Sequence, residues 1–175
     1  TLDTAMAILE EAGKFASNVL EPLNRIGDTQ GSQMQDGYKV KTPDGFKEAY
    51  KQFREAGWTG MSIDAEHGGQ GIPIALNTLV EEIWRSANHA FSLCPLLTIG
   101  AIHALELKGS PQMQATYLPK MVAGEWTGTM NLTEPQAGSD LALVRTRAEP
   151  QPDGTYKIFG TKIFITYGEQ DYTDN

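Results

Sequence analysis

The hydrophobic period changes once along this chain, close to Gly124, and that change limits the fold more than any other feature. Before it, apolar residues return every three or four positions, the spacing of helices with one buried face. Leu9, Ala12, Ala16, Val19, Leu23 and Ile26 mark a first helix, which Pro22 kinks or ends with Gly27 just beyond. Residues 27–41 have no period and read as a loop. Thr42-Pro43 offers an N-cap and a first-turn proline to a second helix, whose stripe is Phe46, Ala49, Tyr50 and Phe53 and whose stop is Gly57. Leu76, Leu79, Val80, Ile83, Trp84 and Ala87 mark a third. Residues 91–108 are apolar nearly all round, which puts their helix in the middle of the bundle. Gly109 ends it. Ser110-Pro111 caps a fifth helix, which carries Met113, Tyr117, Leu118 and Met121 up to Gly124, with Pro119 disturbing its last turn. Five such segments with short connections predict an α-helical bundle.

Beyond Gly124 the spacing alternates instead. Residues 126–132 and 143–148 read as strands, and residues 156–159 and 162–166 as β-rich runs after the turn Pro152-Asp153-Gly154-Thr155. The fold class is therefore mostly α: a helical bundle over 1–124, then the beginning of an antiparallel β-domain over 125–175. A two-stranded ribbon is marginal by itself. With a helix starting at Thr1-Leu2-Asp3 and the last residues following a strand, the chain reads as a fragment, expected to be inactive alone.

Composition removes several function classes. A formal charge of −8, without clustered Lys and Arg, is wrong for a general nucleic-acid binder, although backbone amides can still hold an anionic cofactor locally. Cys94 is the one cysteine; it suits a reducing compartment, and its apolar flanks predict a buried, unreactive thiol. Charged residues within 1–20 argue against a signal peptide, and Ser92, His103 and Glu106 make the apolar run at 91–107 too short and polar for a membrane span. His67, His89 and His103 lack the spacing of a metal site. The loop at 64–71 holds Gly68-Gly69-Gln70-Gly71 but not the G-x-G-x-x-G spacing, so it reads as a tight turn between helices. Glu81 and Glu82 read as solvated helix-surface charges, and neither a Gly-x-Ser-x-Gly elbow nor a Walker loop is present.

Two stretches remain that carry chemistry. Asn131-Leu132-Thr133-Glu134-Pro135-Gln136-Ala137-Gly138-Ser139-Asp140 offers small residues where a ligand can approach the backbone, hydroxyls at Thr133 and Ser139, and carboxylates at Glu134 and Asp140. Lys162-Ile163-Phe164-Ile165-Thr166 offers a flat aromatic ring beside a hydroxyl. A flavin ring needs apolar cover on a face and donors near N1, N5 and its carbonyl oxygens, where charge builds on reduction. Phe164, Thr133 and Thr166 meet that need. They fit equally well as a core phenylalanine and two ordinary β-domain threonines.

The string Thr133-Glu134-Pro135-Gln136-Ala137-Gly138-Ser139-Asp140 resembles the acyl-CoA dehydrogenase signature, and Gly160-Thr161-Lys162-Ile163-Phe164-Ile165-Thr166 resembles that family's second flavin-contact strand. The helical pattern, the glycine loop and Tyr117-Leu118-Pro119 before Gly124-Glu125 fall in the same order, so the likeness covers nearly the whole chain. Residues 8–16 and 125–130 look most like the bacterial subgroup that includes 3-methylmercaptopropionyl-CoA dehydrogenases. The resemblance implies FAD as cofactor, with Met130, Leu132 and Thr133 along the isoalloxazine, Gly138 and Ser139 near FAD, and Ser139 also meeting the acyl-CoA. It implies that Phe164 covers the flavin and Thr166 bonds near N5, and that Glu134 and Asp140 shape the loop.

The implied reaction is α,β-dehydrogenation of an acyl-CoA thioester, with hydride passing from Cβ to flavin N5 and electrons leaving to electron-transfer flavoprotein. The base would come from a C-terminal domain outside these residues, so no catalytic residue is assigned. A bacterial, cytoplasmic homo-oligomer acting in fatty acid metabolism is implied for the full-length protein. An acyl-CoA oxidase or flavin monooxygenase on the same scaffold, or a non-catalytic helical interaction module, are the other readings. Asp64, Asn131, Leu143 and Tyr167 depart from the family pattern, Tyr167 standing where Asn is common.

Overall fold

A computed structural model of the chain describes residues 1–174; Asn175, the last residue of the predicted β-unit, lies outside them. Five helical rods come first. Helix α1 (Leu2–Phe15) runs through a single π-turn (Ala16–Leu20) into α2 (Glu21–Gln30). Next come two short paired strands, β1 (Gln33–Met34) and β2 (Val40–Lys41), and then α3 (Phe46–Glu55), α4 (Ile74–Ala87), α5 (His89–Lys108) and α6 (Pro111–Val122). An antiparallel hairpin of β3 (Arg147–Pro150) and β4 (Tyr156–Phe159) follows, with Arg147 opposite Phe159 and Pro150 opposite Tyr156. The protein is mostly helical with two small antiparallel sheets, as the period predicts.

Of the two outcomes expected at Pro22, a kink or an end, the end does not occur. Glu21 N–H reaches back to Ala16 O in the wider π-turn, and this relieves the clash that a proline ring makes with the carbonyl four residues earlier. The helix continues past Gly27, where a Cβ would lie 2.7 Å from the Phe46 ring, and ends at Gly31 with φ +63°. Gly27 is thus a packing residue between α2 and α3. The expected loop at 27–41 consequently begins later and holds the β1–β2 pair and a 3-10 turn, Asp36–Tyr38.

Thr42 is not the cap of α3. That helix starts at Phe46 behind Gly45, and the Thr42 hydroxyl donates to Asp171 Oδ1 at 2.5 Å instead. The stripe Phe46, Ala49, Tyr50 and Phe53 is buried as expected and forms the main core with Ala12, Leu20, Val80, Trp84, Phe91 and Cys94. The Phe53 ring touches the rings of Phe15, Tyr50, Trp84 and Phe91. Helix α6 caps on Ser110, whose Oγ accepts from Met113 N–H. It stays helical through Pro119, and its buried face is Leu118, Met121 and Val122, while Met113 and Tyr117 are exposed.

Helix α5 has 20 residues and a mean hydropathy of 1.6, so by length and composition it is long and apolar enough to cross a membrane. Its packing is that of a bundle helix. Phe91, Cys94 and Ile102 are buried, and α4 and α6 lie against it. It is not central along its whole length, since Gly100, Ala104 and Leu107 are exposed. Glu81 is not a solvated charge either: its carboxylate accepts from Arg85 and from Asn77 Nδ2 at 2.9 Å. The glycine loop is the expected tight turn. Gln70, Gly71 and Ile72 N–H groups bond to Gly60, Ile63 and Met61, and a Cβ on Gly69 would lie 2.1 Å from Ile63 O.

The β-rich expectation holds only in part. Residues 126–132 form no ladder strand, and neither do residues 162–166, which bend at Phe164, where φ is +57°, and enter a turn at Thr166; the run at 143–148 becomes a 3-10 turn at Leu141–Leu143 followed by β3. A ladder needs a neighbour supplying backbone partners in register, and among the described residues only β3 and β4 provide this for each other in the second half.

Candidate functional site

The two stretches singled out by their chemistry lie side by side. Thr129 Oγ1 donates to Thr166 O, Ile163 N–H donates to Thr133 O at 3.0 Å, and Lys162 Nζ donates to Leu132 O at 2.9 Å. The pairing is antiparallel, with only one of its three ties from backbone to backbone. Met130, Leu132, Thr133, Phe164 and Thr166 therefore sit on two joined segments although thirty residues of chain separate them. Gly138 and Ser139 follow a tight turn in which Glu134 and Ala137 exchange both backbone bonds at 3.0 Å. Pro135 occupies the second position of that turn, where its fixed φ is favourable.

Glu134 holds this arrangement together. Its residue is only 3 % exposed, and its carboxylate accepts from Lys162 Nζ at 2.8 Å, Arg145 N–H at 2.8 Å, Thr146 N–H at 3.0 Å and the Gln136 amide. Lys162 foremost, with the Arg145 and Thr146 N–H groups, holds the carboxyl well below the usual carboxylate range, against the opposing effect of burial. A carboxylate so fully bonded is a poor proton acceptor. Asp140 is also spent locally, accepting from Ala142 N–H at 3.1 Å. Both carboxylates shape the loop, as the resemblance implies.

What remains unspent is the ligand-like part. Among the described residues the hydroxyls of Thr133, Ser139 and Thr166 make no hydrogen bond to the protein. Phe164 is 86 % exposed with φ +57°, so the described residues do not bury it. Met130 and Leu132 are exposed beside it. A Cβ built on Gly138 meets no atom within 4 Å, so open space lies over that backbone. Exposed apolar side chains, free hydroxyls and an uncovered glycine fit a flat, partly polar ring such as a flavin.

Sequence reasoning missed the ties. Nothing in the sequence assigns a role to Lys162, Thr129 or Gln170, or a tie to Tyr167, yet Gln170 Nε2 donates to Thr127 Oγ1 at 3.1 Å and Tyr167 OH to Ala90 O at 2.8 Å. The one signal available was a lysine inside an otherwise apolar β-rich run. Cys94 is fully buried, and burial pushes its thiol up to about 12, which agrees with an inert role.

Residues 3–125 match the family described as acyl-CoA dehydrogenase, N-terminal domain. The chain is 54 % identical over 174 residues to the 3-methylmercaptopropionyl-CoA dehydrogenase of Ruegeria pomeroyi, a match covering 99 % of this chain and 29 % of that protein. It is 36 % identical over 177 residues to a butyryl-CoA dehydrogenase of Syntrophomonas wolfei, again covering 99 % of this chain and 29 % of the relative. The butyryl-CoA dehydrogenase structure from Megasphaera elsdenii superposes with a TM-score of 0.79 at 26 % identity, over 95 % of this chain and 41 % of that one. The chain thus spans under a third of the length of these two curated relatives.

Proposed function

Because the chain belongs to the acyl-CoA dehydrogenase family, we propose that it builds, within a longer polypeptide, one wall of a site that α,β-dehydrogenates an acyl-CoA thioester. The observation that carries this reading is the joined pair of segments presenting Phe164 and the free hydroxyls of Thr133, Ser139 and Thr166. Met130, Leu132 and Thr133 would lie along the isoalloxazine, Phe164 would cover it, and the Thr166 hydroxyl would be the donor toward N5. Gly138 and Ser139 meet the cofactor, and Ser139 also orients the acyl-CoA. Bound FAD supplies the acceptor for the hydride leaving Cβ. This chain's part is to hold donors in a fixed geometry where negative charge develops and to keep water from one face of the ring.

The Cα proton needs a base from elsewhere in the polypeptide, since Glu134 and Asp140 are committed to the loop. Residues 1–124 act as the helical domain and 125–175 as the start of the β-domain. The enzyme would work in the bacterial cytoplasm, in fatty acid metabolism, passing electrons to electron-transfer flavoprotein. The family resemblance is what supports this compartment and a homo-oligomeric longer protein.

Gly138→Val tests the cofactor contact. The open space over Gly138 lets the fold accept the side chain, so the unfolding midpoint should stay unchanged. FAD affinity should fall about tenfold or more, the effect of overpacking a close contact. An unchanged affinity, measured by titrating the apoprotein with FAD, would count against the assignment.

A further inference from the structure

Thr166 is followed directly by a segment that ties itself across the helical bundle. The Tyr167 hydroxyl donates to Ala90 O in the first turn of α5 at 2.8 Å and lies 3.1 Å from the Tyr172 hydroxyl, which therefore donates to it. The Tyr172 ring is buried, stacked on Tyr50 with centroids 5.0 Å apart and 16° between planes. Asp171 Oδ1 takes the Thr42 N–H and hydroxyl, and Gln170 reaches Thr127. Tyr50 in turn donates to Gly124 O, where the helical rods end and the extended segments begin. Three separate parts of the first 130 residues are thus hydrogen-bonded to the seven residues after Thr166, and Tyr50, in a fourth, is stacked on Tyr172 there.

The backbone makes Tyr167 the critical member. Phe164 and Tyr167 adopt φ +57° and +53°, a left-handed region that bulky side chains avoid, and they flank Ile165-Thr166 on both sides. Such a conformation persists only where surrounding contacts over-determine it. Phe164 is exposed and supplies no such contacts. On the other side the phenol of Tyr167 supplies two. We propose that Tyr167 is the positioning residue for Thr166: its hydroxyl, anchored on the Ala90 carbonyl, fixes the Phe164–Thr166 wall relative to the helical bundle, so that the wall meets the flavin at one distance and angle. This rests on the flavin reading of the site. Tyr167 touches neither cofactor nor substrate in this role; it acts through the residue before it.

The test compares Tyr167→Phe with Tyr172→Phe in the full-length protein. The first keeps the ring and removes both hydroxyl bonds; the second leaves the bond to Ala90 in place. In Tyr167→Phe, FAD affinity should fall by about tenfold, the scale of losing the Ala90 anchor together with the bond from Tyr172, and the flavin reduction potential should move. In the apoprotein, exchange of the Ile163 amide should quicken by a similar factor while core amides of α4 and α5 stay protected. Tyr172→Phe should leave affinity, potential and Ile163 exchange within about twofold, since one weak bond is lost. Wild-type affinity, potential and exchange in Tyr167→Phe would overturn the proposal, as would equal effects in both variants. A wild-type protein that holds no FAD would instead overturn the flavin reading, and the exchange arm would still decide whether Tyr167 anchors the wall.

Discussion

Replacing Glu134 with Gln should empty the full-length protein of FAD and lower its unfolding midpoint by roughly 10 °C, the scale expected when one partner of a buried, multiply bonded ion pair is removed. The shape of the residue survives, so the loss comes from charge. Lys162 would keep its cation beside a neutral amide, and one of the Arg145 and Thr146 N–H groups would face an NH₂ instead of an oxygen. Three segments lose their common acceptor together, and Thr133 and Ile163 can then drift apart.

The same carboxylate sets an acid dependence. Its folded pKa lies below the ordinary glutamate value of 4.5. Its contribution to stability is therefore complete above that ordinary value, declines as pH falls below it, and is gone once pH has passed through the depressed folded value. Melting wild type and Glu134→Gln from roughly pH 7 to pH 3 should show the gap between them holding above the ordinary carboxylate pKa and narrowing below it. A gap that is constant across the range, or absent at neutral pH, would mean that the ion pair does not organise the loop.

The second large effect lies in the core. Phe53→Ala should cost about 4 kcal/mol, because the cavity it leaves is walled by four aromatic rings that cannot collapse far. Phe53→Leu should cost less than half of that, as most of the volume is kept. Denaturant unfolding measures both, with an unchanged slope showing that the denatured state is not altered. A loss below ~1.5 kcal/mol for the alanine variant would show that the rings repack into the space. Tyr50, in ring contact with Phe53, also carries the Tyr172 stack, so the alanine variant should retain FAD less well than the leucine variant.

These two sites differ in how far the sequence reveals them. The Phe46, Ala49, Tyr50, Phe53 stripe is a local pattern: one helix turns one face inward, and spacing alone reports it. The role of Glu134 as a loop-shaping residue follows from the resemblance, but its partners at Arg145, Thr146 and Lys162 do not, because contacts across eleven to twenty-eight residues leave no periodic trace. Residues 162–166 have strand composition yet form no ladder, and the chain bends at Phe164 and turns at Thr166, so propensity without a continuous backbone partner does not make a strand. Thr42-Pro43 carried a helix-start signal that tertiary contact with Asp171 overrode. Pro22 marks a disturbance in the sequence, and a π-turn rather than a helix end accommodates it.

The central claim is that these residues form a wall of a flavin site for acyl-CoA oxidation. It is tested most directly by adding an acyl-CoA, without air, to the full-length protein and following the visible absorption of its flavin. The account predicts a yellow protein whose flavin band bleaches on mixing, with an enoyl-CoA formed and colour restored by an electron acceptor. A protein that carries no flavin, or a flavin band that persists with excess acyl-CoAs of several chain lengths, would contradict it.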